Sequence, residues 1–180
     1  MTKFYTGKGD DGRTGLLGEK RVHKYHPRIQ AVGAIDEATA HLGMARSHSR
    51  RRELDALVKD IQRDLYKMMS LVSALPENAG SFPGIERGRV DWLEEQIERF
   101  GAGTEAPQAF ILPGDTPGAA AFAVARTVVR RAERHAVKLQ DEGLIDAPEV
   151  LSYLNRLSSL CFVLELYELD APPTLAKDEA

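Results

Sequence analysis

Apolar residues recur every three or four positions through most of the chain after Pro27, which is the period of an amphipathic α-helix. The pattern predicts a first helix from about Pro27 to Ser47, because proline is well tolerated in a first helical turn. A second helix is marked by a single apolar stripe and should end by Pro76. The stripe consists of Leu54, Leu57, Val58, Ile61, Leu65, Met68, Met69 and Val72.

Three further helices are expected in the second half of the chain. A third ends at Phe100, and a fourth, rich in alanine, runs from Pro117 to about Gln140. The fifth begins at Asp146, where an acidic N-cap followed three residues later by Glu149 is typical of a capping box. Five helices without a convincing pair of strands predict an all-α, five-helix bundle.

The fifth helix is apolar on nearly every side. A helix of this kind lies at the centre of its bundle or against another subunit, so we expect an oligomer. The apolar residues that surround it are Leu154, Leu157, Leu160, Phe162, Val163, Leu164 and Leu166.

The composition changes twice along the chain, within what we expect to be a single domain spanning residues 1–180. Residues 1–26 are too rich in glycine for a helix and alternate poorly for a strand, so they are predicted to form a loop. Residues 27–169 form the helical bundle, and residues 170–180 form a flexible tail. The glycines of the N-terminal loop are Gly7, Gly9, Gly12, Gly15 and Gly18.

Overall composition excludes several classes of protein. The 24 basic and 27 acidic residues give a net charge of −3, which argues against a general nucleic-acid binder. The single cysteine, Cys161, excludes an intrachain disulfide framework and a multi-cysteine zinc site. The first residues lack the apolar core of a signal peptide, and no apolar stretch is long enough to span a membrane. We therefore expect a soluble, cytoplasmic protein without a membrane partner.

The glycine-rich loop is the first candidate for chemistry. Residues 7–12, GKGDDG, formally match the dinucleotide-binding pattern, but only six residues precede Gly7, which leaves no room for the strand that this fold requires. A loop with free backbone N–H groups, Lys8 and the hydroxyls of Thr6 and Thr14 can still bind phosphates. A disordered terminus is the alternative.

A row of charged residues on the fourth helix is the second candidate. Arg126, Arg130 and Glu133 share one row with Phe122, and Arg134 lies beside it. Arginine is the preferred cation for phosphate or carboxylate contacts at partly buried sites. The alternative is an exposed row of ion pairs that contributes little to stability.

Two polar residues are expected on apolar rows, where they would need partners. Asp36 is on the first helix and Asn155 on the fifth. Arg126 is a suitable partner for Asp36, within the chain or across an interface. Each is also compatible with a satisfied polar group in the core. The pair His23 and His26 lacks further ligands at suitable spacing, so no metal site is expected.

Taken together, these segments resemble the PduO-type ATP:cob(I)alamin adenosyltransferases. The matching stretches follow the family's order from residue 5 to about residue 168. They are YTGKGDDG with TGLLG, then RVHK, VGAIDE, FILPG, ARTVVRRAER and YLNRLS, at 5–12, 14–18, 21–24, 32–37, 110–114, 125–134 and 153–158. Many relatives carry arginine in place of Gly7, and His23 and Tyr25 depart from a more acidic family pattern.

The resemblance implies a homotrimer with an active site at each subunit interface. It implies transfer of the 5′-deoxyadenosyl group of ATP to the cobalt of cob(I)alamin, which yields adenosylcobalamin and triphosphate. Mg²⁺ would be held through the ATP phosphates, and a reductase and an adenosylcobalamin-dependent enzyme are the implied partners. The implied catalytic residues are Asp36, Arg126, Arg130 and Phe110, with Asp36 and Arg126 as an intersubunit salt bridge.

The resemblance also divides the binding residues between two subunits. One subunit would bind ATP through its N-terminal loop, and its neighbour would complete that site, while aromatic residues line the corrin side. The implied residues are Thr6, Gly7, Lys8, Gly9, Thr14, Gly15 and Lys24 of the loop, then Arg130, Glu133, Arg134 and Asn155 for ATP, and Phe110 and Phe162 for cobalamin.

Two alternatives from other classes remain. One is a non-catalytic oligomeric bundle, which either binds ATP or another phosphate ligand or is ligand-free and uses the arginine row as an intersubunit network of ion pairs. The other is a nucleic-acid binder that uses Arg130, Arg131, Arg134 and Lys138, although the net charge of −3 opposes it.

Overall fold

The computed structural model describes residues 4–18 and 20–177. In that part of the chain five α-helices are present, which confirms the predicted helical bundle, and a short 3-10 helix, Pro76–Ser81, follows the second of them. The α-helices are α1 (Pro27–His48), α2 (Leu54–Ser73), α3 (Arg87–Gly101), α4 (Pro117–Asp141) and α5 (Pro148–Tyr167). None of the described helices is long and apolar enough to cross a membrane.

The core is built around α1, α4 and α5. α4 packs against both α1 and α5, α2 covers α1, and α3 covers α5. The apolar stripe of α2 is buried as predicted, with Ile61 and Leu65 fully inaccessible to solvent. Leu157 and Leu160 of α5 are also fully buried, whereas Phe162 remains half-exposed. The apolar circumference of α5 therefore reflects, in large part, its central position within one protomer.

The predicted N-cap of α5, Asp146, is wrong by one residue. The helix begins at Pro148, and Ala147 occupies the N-cap position without any side-chain hydrogen bond. Proline fixes its own φ and drives the preceding residue out of the helical region, so a helix cannot begin before it at Asp146. The capping box expected from Asp146 and Glu149 therefore does not form.

A short hairpin corrects the expectation that no strands pair. Strands β1 (Arg13–Gly15) and β2 (Arg21–His23) are antiparallel, with Thr14 opposite Val22. The hairpin forms because Leu16 and Val22 bury their side chains against Leu75, in a small cluster separate from the main core. Strands of three residues are too short to give a clear alternating pattern in the sequence.

The C-terminal tail makes backbone contacts with the rest of the chain. Leu175 forms an antiparallel bridge with Ile111, in the loop that precedes α4, and the backbone groups of Thr174 and Ala176 are hydrogen-bonded to the same loop. That the tail is flexible stays a prediction. Residues 178–180 of the predicted tail, and residues 1–3 of the predicted N-terminal loop, lie outside the described residues. That residues 1–180 form one domain stays a prediction.

Candidate active site

A groove of about 640 Å³ lies between α4, α5 and the loop 107–111. It brings together four of the residues singled out from the sequence: Arg126 and Arg130 on α4, Phe162 on α5, and Phe110 in the loop. Ser158 and Ser159 of α5 also line it, so the groove has apolar walls and two cations on one side. A groove of this size and mixed character suits a large ligand that is partly apolar and partly anionic.

The helical period of α4 places the two arginines in the groove. Arg126 and Arg130 are four residues apart and therefore project from the same row. The guanidinium of Arg126 lies 5.8 Å from the ring centroid of Phe162, within the range of a cation–π contact. The Phe110 side chain is 90% exposed and projects at the edge of the groove.

Arg126 is held by an acidic residue that the sequence analysis did not single out. Its Nε atom lies 3.6 Å from Oε2 of Glu165, and the Glu165 residue is only 1% exposed. Burial raises the pKa of the Glu165 carboxyl, and the charge of Arg126 opposes that rise. Neither carboxylate oxygen has a hydrogen-bond partner among the described residues. A lone acid inside the apolar run of α5 was the available signal.

Asp36 does not pair with Arg126 in the protomer, and the expectation that it is buried is wrong. The buried face of α1 consists of residues such as Ala34, Ile35 and Ala38, and Asp36 lies on the opposite, exposed side. Within the described part of the chain, Asp36 has no hydrogen-bond or ion-pair partner. Its neighbour Glu37 pairs instead with Arg131 of α4.

Asn155 is exposed rather than buried, which corrects the second expectation about polar residues. Its Nδ2 atom donates a 3.0 Å hydrogen bond to Oε1 of Glu133, and its Oδ1 atom accepts one of 2.9 Å from Arg156. Arg134 donates to the backbone oxygen of Arg130 over 3.0 Å. Four residues predicted to bind ATP therefore share one surface of α4 and α5.

The glycine-rich loop is folded into successive turns. The N–H of Asp10 donates to the oxygen of Gly7 over 3.1 Å, and that of Gly12 donates to the oxygen of Gly9 over 3.2 Å. Gly7 has a φ of +69°, which favours glycine. A Cβ atom at Gly9 would lie 3.2 Å from Nζ of Lys24, so Lys24 reaches back over the loop.

Arg21 of β2 fastens this loop to the hairpin, a role that the sequence did not reveal. It donates two hydrogen bonds of 2.9 Å to the two carboxylate oxygens of Asp11 and one of 2.5 Å to the backbone oxygen of Lys8. The Arg21 guanidinium, with the Arg13 N–H, holds the pKa of Asp11 below its ordinary value. The backbone that carries Thr6, Lys8 and their neighbours is thereby given a definite shape.

The predicted nucleotide-binding residues form two separate groups in one protomer. The loop group comprises residues 6–15 and Lys24, and the helix group lies on α4 and α5. Among the described residues, no hydrogen bond or ion pair joins the two groups. The described chain also contains no cluster of three or more His, Cys, Asp or Glu side chains that would hold a metal ion directly.

Comparison with known proteins identifies the family of the chain. Residues 4–168 match the family model described as "Cobalamin adenosyltransferase". The chain belongs to this family. A corrinoid adenosyltransferase of Mycobacterium tuberculosis is 41% identical over 171 residues, which cover 91% of the chain and 87% of the relative. The corrinoid adenosyltransferase PduO of Salmonella typhimurium is 35% identical over 89% of the chain and 48% of its own length.

Solved structures of the family share the fold closely. A variant PduO-type ATP:corrinoid adenosyltransferase from Lactobacillus reuteri, complexed with cobalamin and ATP, superposes with a TM-score of 0.90 at 32% identity, covering 98% of this chain and all of that one. A second variant from the same organism, complexed with ATP, gives a TM-score of 0.88 at 33% identity, covering 97% of this chain and all of that one. This cobalamin adenosyltransferase family member therefore has the PduO-type fold.

Proposed function

We propose that this adenosyltransferase transfers the 5′-deoxyadenosyl group of ATP to the cobalt of cob(I)alamin, producing adenosylcobalamin and triphosphate. The observation that carries the proposal is the groove in which Phe110 and Phe162 face the cations Arg126 and Arg130. The related structure from Lactobacillus reuteri is complexed with both cobalamin and ATP.

The chemistry requires positioning and charge neutralisation rather than a general base. The electron pair of reduced cobalt forms the bond to C5′ of ATP as the bond from C5′ to the triphosphate oxygen breaks. Negative charge then builds on the leaving triphosphate, where a preorganised cation lowers the barrier most effectively. Arg130 is exposed beside the groove and is the cation we assign to this role.

Binding of ATP on the helix group depends on residues that already orient one another. Glu133 accepts the amide hydrogen bond of Asn155, and Arg134 is tethered to the backbone of Arg130. Such contacts restrict the rotamers of the Glu133, Arg134 and Asn155 side chains before a ligand arrives, which lowers the entropic cost of binding. The orientation of C5′ towards cobalt follows from fixing the nucleotide at several points.

The aromatic residues supply the wall for the corrin. Phe110 projects from the loop before α4, and Phe162 lies across the same groove. An apolar wall excludes water and a lower axial ligand from cobalt, which leaves the metal four-coordinate and easier to reduce. The cobalamin supplies the reactive atom, and the protein supplies position and an apolar environment.

A homotrimer would complete each site at an interface. No hydrogen bond or ion pair joins the loop group to the helix group within the described residues of one protomer, and a neighbouring subunit would bring its loop residues Thr6, Gly7, Lys8, Gly9, Thr14, Gly15 and Lys24 to the helix group. Asp36 is exposed without a partner in the described chain, and it is available to Arg126 of a neighbour. These two observations support the assembly.

Mg²⁺ would reach the site with the nucleotide. Mg²⁺ prefers oxygen ligands and is commonly held through substrate phosphates together with water. Lys8 and Arg130 carry positive charge and suit the remaining phosphate oxygens rather than the ion. We further propose cytoplasmic action beside a reductase that supplies cob(I)alamin and an enzyme that uses adenosylcobalamin.

The test is an anaerobic spectrophotometric assay with chemically reduced cobalamin, ATP and Mg²⁺. We expect conversion to adenosylcobalamin that requires ATP and falls by about 100-fold or more in Arg130→Ala, the scale for losing a group that stabilises transition-state charge. Arg87→Ala is the matched control, because Arg87 is an exposed helical arginine whose one ion-pair partner among the described residues is Asp91.

Two results would contradict the proposal. Near-normal activity in Arg130→Ala would remove the assigned role of that residue. The absence of any conversion by the unaltered protein, while ATP still raises the melting temperature, would instead favour a non-catalytic bundle that binds ATP.

A further inference from the structure

The tail after α5 folds back onto the loop that carries Phe110. The N–H of Leu112 donates to the oxygen of Thr174 over 2.8 Å, and the N–H of Ala176 donates to the oxygen of Phe110 over 2.7 Å. These bonds flank the bridge between Ile111 and Leu175. Residues 174–176, the C-terminal strand, therefore hold both ends of the segment 110–112.

Asp115 anchors the C-terminal strand to the start of α4. Its two carboxylate oxygens accept hydrogen bonds from the backbone N–H and the hydroxyl of Thr174, over 2.9 and 2.8 Å. These bonds lower the pKa of Asp115, the backbone bond most strongly. The next residue, Thr116, is the N-cap of α4 and accepts the N–H of Ala119 over 3.1 Å. The anchor is thus continuous with the helix that carries Arg126 and Arg130.

The upstream end of the tail is tied down as well. Asp170 accepts hydrogen bonds from Arg50 over 3.1 Å and from Arg51 over 3.0 Å. Between the two anchors lie Pro172 and Pro173, whose rings restrict the backbone and reduce its entropy in the unanchored state. The tail is therefore fixed at both ends, and its two prolines leave the backbone between them little conformational freedom.

Phe110 depends on this backbone pairing for its position. Its side chain is 90% exposed, so side-chain packing contributes little to holding it in place. We propose that the C-terminal strand, anchored by Asp115, positions the Phe110 wall against the corrin, and that Asp115 and Thr174 are positioning residues for the transfer reaction. The inference rests on the proposed function, because it assigns the corrin as the ligand that Phe110 meets.

The first test is Asp115→Ala, which removes both acceptors of Thr174. We expect the KM for cob(I)alamin to rise by about tenfold, the scale for losing hydrogen bonds to a charged group, while the KM for ATP changes by less than about twofold. Asp141→Ala is the matched control, since Asp141 is exposed at the opposite end of α4. Equal changes in both KM values, or none, would overturn the proposal.

Two further variants separate positioning from general stability. Thr174→Val should reproduce part of the cob(I)alamin effect, and Thr174→Ser, which keeps the hydroxyl, should restore normal kinetics. In a Phe110→Ala background, Asp115→Ala should have little additional effect on the KM for cob(I)alamin, because the residue it positions is absent. A full additional effect would show that Asp115 acts by another route.

A readout without substrate keeps this inference distinct from the proposed function. Amide hydrogen exchange measures the pairing of Leu112 and Ala176 directly. We expect exchange at both amides to accelerate in Asp115→Ala and to stay unchanged in Asp141→Ala. Unchanged exchange in Asp115→Ala would refute the anchoring, whether or not the protein converts cobalamin. Accelerated exchange in a protein that makes no adenosylcobalamin would mean that the proposed function alone had failed.

Discussion

The Nε atom of Arg126 lies 3.6 Å from Oε2 of Glu165, so an arginine that lines the groove is paired with an acid that does not line it. Glu165 is 1% exposed, whereas the Arg126 side chain keeps 29% of its surface accessible. A buried carboxylate that lacks hydrogen bonds stabilises a neighbouring cation at a considerable cost in desolvation. Arg126 is therefore a residue whose position is fixed from inside its own protomer.

Glu165 should make stability depend on pH. Burial raises its pKa above the ordinary value of 4.5, so the folded protein holds a proton that the unfolded chain has already released. This contribution to the free energy of unfolding is present below about pH 4.5 and is lost as pH rises through the folded pKa. We expect Glu165→Gln to reduce the fall in melting temperature over that window, as measured by calorimetry.

Glu95→Gln is the control for this prediction, because Glu95 is an exposed residue on α3. It should leave the pH profile of the melting temperature unchanged. If Glu165→Gln and Glu95→Gln gave the same profile as the unaltered protein, the raised pKa of Glu165 would be wrong.

Phe110 should matter most when cobalamin carries a lower axial ligand. We expect Phe110→Ala to lose about 100-fold in kcat/KM with base-on cob(II)alamin and much less with a corrinoid that lacks the lower base, because the wall keeps that base away from cobalt before its reduction. The measurement is an anaerobic assay that starts from the Co(II) form of both corrinoids and reduces it in the presence of the protein and ATP. Leu112→Ala, at an exposed position two residues away, serves as control. Equal losses on both corrinoids would contradict the wall.

Asp36 should contribute nothing to the stability of an isolated protomer, but it should contribute to activity and to subunit association in the assembly. Because it has no partner in the described chain, Asp36→Asn should not weaken the packing of a single subunit. We expect it to lower activity by about tenfold and to weaken subunit association, measured by sedimentation across a dilution series. Asp141→Asn, exposed on α4, is the comparison. Unchanged activity and association would remove the intersubunit role.

Exchanging the charges of Asp36 and Arg126 cannot replace this test. An aspartate at position 126 would remove the cation beside the buried Glu165 and put a second negative charge on the same side of α4. We expect Arg126→Asp to destabilise the fold even when combined with Asp36→Arg. Exchanging the two charges therefore does not restore the pair, because Arg126 also faces a second acid, Glu165, within its own protomer.

Arg21 should control the affinity for ATP through the shape of the glycine-rich loop. Arg21→Lys keeps the charge but loses the two-pronged contact with Asp11, since an ammonium group lacks the planar fork of a guanidinium. We expect the KM for ATP to rise by about tenfold with little change in the KM for cob(I)alamin. Arg87→Lys, in the exposed pair with Asp91, provides the control. An unaltered KM for ATP would exclude the fastening role.

The helices could be predicted from the sequence because each carries its own periodic apolar stripe, a local signal. The exposure of Asp36 and Asn155 could not be predicted, because the helical period does not show which side of a helix packs against the core. Glu165 was missed because a single acid within an apolar run does not by itself show whether its side chain is buried or exposed.

The pairings that shape the candidate site were beyond the sequence because they join distant segments. Thr174 is hydrogen-bonded to Asp115, which lies 59 positions away in the sequence. Leu17 forms an isolated β-bridge with Ala74. Neither contact leaves a periodic pattern, and each depends on loops whose geometry is set only when the helices have packed. The resemblance to a family supplied the site residues, but not these contacts.

Cys161, the sole thiol of the chain, is fully inaccessible in α5, and burial raises its pKa to about 12. A thiol of this kind is protonated and shielded at neutral pH, so it reacts with a disulfide reagent only when its surroundings open. The rate at which a disulfide reagent labels Cys161 in the native protein therefore measures how fast the bundle opens. A second cysteine placed at an exposed position would accept a fluorophore selectively, without first removing the natural one.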